Sequence, residues 1–108
     1  MGTAETNTGS KFGELINGDT PVLVDMFATW CGPCKMLEPA VKQVAQKLTG
    51  KVKVIKIDID KNPHVARAYE VLSVPTLILF HKGKILWRQS GVIPAPQIEK
   101  AVESVLPH

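Results

Sequence analysis

A run of apolar residues, Val22-Leu23-Val24-Asp25-Met26-Phe27-Ala28, ends against the pentapeptide Trp30-Cys31-Gly32-Pro33-Cys34, and an amphipathic helical pattern begins directly after it. An apolar run of this length reads as a strand covered on both faces, the situation of a parallel strand between helices. The pentapeptide holds both cysteines of the chain, so each can pair within the chain only with the other, in a small ring. A Cys-x-x-Cys at a strand-to-helix junction is a dithiol redox motif. Backbone amides and the positive dipole end of a helix N-terminus favour an anion, here a thiolate.

The rest of the chain alternates in the same way. Ser10 can cap a short helix with Phe12, Leu15 and Ile16 on one face, stopped by Asn17-Gly18. From Cys34 to Thr49 the residues Leu37, Val41, Val44, Ala45 and Leu48 keep helical spacing, with Gly50 as the stop and Pro39 inside to bend it. Val52 to Asp60 reads as a strand. Asn62-Pro63, a cap followed by a proline at the first helical position, opens a short helix to Tyr69. Thr76 to His81 and Lys84 to Ser90 are strands joined by Lys82-Gly83, a link so short that they must form an antiparallel hairpin. Pro96 to Leu106 puts Ile98, Ala101, Val102 and Val105 on one helical face. The order predicts an α/β fold, a mixed sheet with helices on both faces.

A chain of 108 residues is long enough for one core without staples, and 44% hydrophobic against 21% charged residues sets it apart from disordered compositions. A flexible segment over 1–9 and a single domain over 10–108 are expected, with no repeat or second domain. The net charge is +3, but lysines such as Lys42, Lys47, Lys51, Lys53 and Lys61 alternate with acidic and apolar residues. They read as solvated faces rather than a nucleic-acid footprint. No apolar run approaches the about 18–20 residues that span a bilayer, and the polar start Met1-Gly2-Thr3-Ala4-Glu5 is unlike a signal peptide. A cytoplasmic monomer is the expectation, and in that compartment a working dithiol is favoured over a structural disulfide.

Asp25 is the next signal. A carboxylate in a strand covered on both faces is costly unless bonded or neutralised. Burial should raise its pKa, which suits a general base taking the proton of Cys34. The alternative is a satisfied ion pair with Lys56, in Val54-Ile55-Lys56-Ile57; Lys56 itself reads as a tuning partner.

Trp30-Cys31-Gly32-Pro33-Cys34-Lys35, together with Val74-Pro75-Thr76 and Gly91, resembles the thioredoxins, from about Phe12 to Leu106. The resemblance implies a central sheet flanked by four helices, an active site at the start of a kinked helix, and a cis peptide before Pro75 facing the cysteines. It implies a protein-disulfide reductase without cofactor or metal, acting on disulfide-containing proteins and recharged by a thioredoxin reductase. Cys31, at the exposed end of the motif, is then the nucleophile and Cys34 the resolving thiol. Gly32 would allow a tight turn and close approach of substrate, and Pro33 would limit the ring. Trp30, Val74, Pro75, Gly91 and Val92, with Gly32 and Pro33, are candidates for an apolar docking patch.

Three departures from the family pattern stand out. Residues 1–9 carry no apolar alternation for the usual first strand, which would leave a sheet of four strands with 52–60 at an edge. Phe27 stands where a tryptophan is usual, and Ser73 where glycine is common.

Other functions fit less well. Zinc would need two ligands besides Cys31 and Cys34, and His64, His81 and His108 are scattered. Haem attachment fails because Lys35 follows Cys34. A thioredoxin-like oxidant or isomerase of an oxidising compartment, or a non-catalytic thioredoxin-like subunit, shares the fold and stays open.

Overall fold

The computed structural model describes residues 11–107. A helical turn α1 (residues 11–16) leads into β1 (Val22–Phe27), then α2 (Gly32–Lys47), β2 (Lys53–Asp58) and α3 (Pro63–Ala68). The hairpin β3 (Thr76–His81) and β4 (Lys84–Ser90) follows, and α4 (Ala95–Val105) closes the order. The strands form one open mixed sheet in the order β2-β1-β3-β4. β1 runs parallel to β2 and antiparallel to β3, and β3 to β4 is antiparallel. Among the described residues β2 is an edge. The expectation of a missing first strand, like the Ser10 cap and the flexible start, falls outside the described residues.

Period-2 alternation sorts the sheet into two cores. Leu23, Leu77 and Leu79 face α2 and α4, where Leu37, Val41, Val44, Ile98 and Val102 close over them. Val22, Val24, Met26, Ile78 and Phe80 face the other way, onto Phe12 and Ile16 of α1 and Val65 of α3. β1 is buried on both sides because it lies between these layers, which explains its continuous apolar run. Asp25 shares the parity of Leu23 and so points toward α2. This one polar position in β1 is therefore aimed at the helix that carries the cysteines.

Local details depart from the sequence reading in two places. Leu15, expected on the buried face of α1, is 40% exposed, because the contact is made by Phe12 and Ile16, one turn apart. Asn62 precedes α3 but makes no side-chain cap. Its amide instead donates to the Asp58 carbonyl at 2.9 Å, and its own carbonyl accepts the Val65 and Ala66 amides. Pro63 does occupy the first helical turn.

The hairpin turn puts both Lys82 and Gly83 in the left-handed region, the pairing a two-residue turn needs to match strand twist. The Gly83 amide donates to the Ile16 carbonyl at 2.9 Å, tying the turn to the end of α1. No helix among the described residues is long and apolar enough to cross a membrane.

Candidate redox site

β1 delivers the chain to Ala28, and the Cys31 amide donates back to the Ala28 carbonyl at 3.2 Å. Cys31 is the N-cap of α2, with extended backbone, and its Sγ accepts the Cys34 amide at 3.1 Å. A sulfur thus takes the place of the usual capping oxygen and satisfies one of the free amides of the first turn. Cys31 and Cys34 are joined as a disulfide, their Cα atoms 5.3 Å apart. Pro33 sits in the first turn, where its missing N–H costs nothing.

Cys31 is no more exposed than its partner: each is 4% accessible and packs with Ala28 against Phe27, Ile59 and Val74. The expected exposed end is therefore not seen in the disulfide state. The two sulfurs differ in their surroundings. Cys31 Sγ receives the helix amide and lies 3.6 Å from the Val74 carbonyl oxygen. Cys34 lies within the first turn of α2, one turn before Glu38 on the same helix face.

The Val74–Pro75 peptide is cis, as the resemblance implies. The Gly91 amide donates to the Pro75 carbonyl at 3.0 Å, and Gly91 has φ +95°, which favours glycine there. The structure so joins Cys31, Val74, Pro75 and Gly91 in one chain of contacts, with Val92 exposed beside them. Trp30 is 69% exposed and its indole donates to Asp60 Oδ2 at 2.8 Å. Gly32 needs no unusual backbone: a Cβ there would meet nothing within 4 Å.

On the α2 face of β1, Asp25 is 1% exposed, and neither carboxyl oxygen has a hydrogen-bond partner. Burial raises its pKa from 3.8 to about 6; the Lys56 charge opposes this and Glu38 adds to it. An ion pair between Asp25 and Lys56 is not what forms. Lys56 Nζ pairs with Glu38 Oε1 at 3.2 Å and lies 4.6 Å over the centre of the Phe27 ring. A small cleft of about 170 Å³ opens here, lined by Phe27, Ala28, Thr29, Cys34, Lys35, Glu38 and Lys56.

Three residues escaped the sequence reading. Glu38 could have been found, since it falls four residues after Cys34. Asp60 could not, because nothing local marks it as the Trp30 acceptor. Thr76 was quoted only within its motif, yet its buried hydroxyl donates to the Ser73 carbonyl at 2.7 Å and meets Ser90 Oγ at 2.9 Å.

A family model described as Thioredoxin matches residues 3–104. The chain belongs to the thioredoxin family. It is 41% identical over 107 residues to Thioredoxin 1 of Nostoc sp., covering 98% of this chain and 100% of that protein. It is 42% identical over 104 residues to the chloroplastic Thioredoxin Y of Oryza sativa subsp. japonica, covering 95% of this chain and 62% of the rice protein. A solved thioredoxin mutant from Halobacterium salinarum superposes with a TM-score of 0.81 at 35% identity, over 92% of this chain and 86% of that one. Thioredoxins are thiol–disulfide oxidoreductases, and the Cys31–Cys34 pair at disulfide distance supplies the group that this activity uses.

Proposed function

We propose that this thioredoxin-family chain reduces disulfides in protein substrates, with Cys31 attacking and Cys34 resolving. The observation that carries this assignment of roles is the position of Cys31 Sγ, which caps α2 through the Cys34 amide and touches the Val74 carbonyl. In the reduced chain that amide would favour a Cys31 thiolate. The thiolate attacks one sulfur of the substrate disulfide; the substrate S–S bond breaks, and the other sulfur leaves as a thiolate. Cys34, once deprotonated, attacks Cys31 Sγ. The mixed disulfide breaks, the second substrate sulfur leaves, and the Cys31–Cys34 bond forms. Two electrons pass to the substrate.

Asp25 is the acceptor for the Cys34 proton in this reading. Its support is a buried carboxyl without partners, on the sheet face under α2, with an affinity raised to about 6. Trp30, Val74, Pro75, Gly91 and Val92 would receive an extended substrate segment, and Gly32 and Pro33 would let it approach. A thioredoxin reductase is the donor we assign for returning electrons to the pair, and a reducing compartment such as the cytoplasm suits this direction.

Turbidity of insulin incubated with dithiothreitol tests the reading. The parent should accelerate B-chain precipitation, and Cys31→Ser should reduce the rate to that of dithiothreitol alone. An active Cys31→Ser variant would overturn the roles.

A further inference from the structure

The pairing chosen by Lys56 is the least expected contact of the site. Lys56 is opposite Asp25 in the β1–β2 register, and both side chains lie on the α2 face of the sheet. A buried carboxylate without a single hydrogen bond is a strong attractor for a neighbouring ammonium. The ammonium nevertheless sits outward, on Glu38 at 3.2 Å and over the Phe27 ring. Glu38 belongs to α2, one turn after Cys34, and both line the small cleft that Lys56 also borders.

We infer that Glu38 is a positioning residue, which anchors Lys56 at the mouth of the cleft beside Cys34 and so keeps the ammonium from neutralising Asp25. Two effects of Glu38 point the same way. Its own negative charge adds to the upward push on Asp25, and it holds the cation that would otherwise be free to swing inward. The other charged group lining the cleft is Lys35 on α2; the β3 neighbour of Asp25 is the uncharged Leu77. The affinity of Asp25 for a proton is thereby set from a half-exposed surface position. The inference rests on the reading of Asp25 as proton acceptor for its functional consequence, though not for its physical content.

The test uses the full chain in the oxidised state, with the Asp25 carboxyl carbon followed by NMR from pH 4 to 9. In Glu38→Gln the Asp25 midpoint should fall by a few tenths to about 0.7 of a pH unit, the size of a half-exposed charge pair. The pH profile of mixed-disulfide resolution, started by mixing the reduced chain with a disulfide substrate, should move downward in the same direction. In a Lys56→Met background the Glu38→Gln displacement should shrink to a minor part, because the cation that Glu38 holds is gone. An unchanged or higher Asp25 midpoint in Glu38→Gln would overturn the inference. So would a displacement of full size in the Lys56→Met background, which would leave Glu38 acting by its own charge alone. Both side chains are about half exposed, at 47% and 43%, so the variants should fold; circular dichroism checks this. If Asp25→Asn resolved the mixed disulfide at the parent rate, the role of Asp25 would fail, while its NMR titration would still decide the role of Glu38.

Discussion

Asp25 and Lys56 stand opposite each other across the parallel β1–β2 ladder, but the lysine bonds Glu38 at 3.2 Å and the aspartate bonds nothing. A charge pair that register alone would suggest is thus replaced by a surface pair and a lone buried carboxyl. Surface pairs of this kind contribute little to stability, so the arrangement leaves the cost of the buried Asp25 carboxyl uncompensated at neutral pH.

That cost depends on pH. The folded chain holds the Asp25 proton up to about pH 6, whereas the unfolded chain releases it near 3.8. Between these values the folded state binds more protons. The contribution of Asp25 to stability is therefore full below about pH 4 and is lost as pH rises through about 6, a difference of about 3 kcal/mol. Asp25→Asn should be more stable than the parent at pH 8, by one to about 3 kcal/mol, and should gain much less at pH 4. Urea melts at the two pH values check this; an equal gain at both would contradict it.

The same substitution should slow one step and spare another. In stopped-flow experiments near neutral pH, Asp25→Asn should release the mixed disulfide more slowly, while initial attack by Cys31 changes far less. Resolution at the parent rate would make Asp25 a structural residue only.

Stability of the opposite core should follow Phe80. This side chain is fully buried and meets the Phe12 and Tyr69 rings with centroids 5.7 and 5.1 Å away. Phe80→Ala should cost about 3–5 kcal/mol in a urea melt, through lost burial and the cavity left between α1, α3 and the sheet. A loss below about 1 kcal/mol would show that this layer collapses to fill the gap.

Gly91 offers a backbone test. No atom stands within 4 Å of a Cβ built there, but φ is +95°. Gly91→Ala should therefore cost about 1–2 kcal/mol through conformation and not through packing, and Gly91→Asn should cost less, since asparagine tolerates positive φ better. Equal stability of Gly91→Ala and the parent in a urea melt would remove the argument.

Much of this site was legible in the sequence because its chemistry is local. The Cys31–Cys34 pair, the strand that delivers it and the helix that follows lie within 26 residues, from Val22 to Lys47, and the apolar pattern of β1 marks a covered strand. The lone Asp25 stood out against that pattern. What stayed hidden involves side chains that choose partners only after the fold exists. Lys56 reaches Glu38 across 18 positions, Trp30 reaches Asp60 across 30, and Arg88 reaches the Tyr69 and Glu70 carbonyls at the end of α3. Asn62 misled for a related reason: a residue with a capping side chain found a better acceptor in the Asp58 carbonyl. The burial of Cys31 could not be read either, because part of it comes from Ile59 and Val74, distant in the chain.

The most direct measurement of the central claim is to incubate reduced Cys34→Ser with a disulfide-containing protein and analyse the products by non-reducing electrophoresis and mass spectrometry. The variant should accumulate a covalent adduct through Cys31, stable until a reductant is added, and should show no multiple turnover. Continued turnover by Cys34→Ser without such an adduct, or equal trapping through Cys34 in Cys31→Ser, would contradict the assignment of Cys31 as attacking and Cys34 as resolving sulfur.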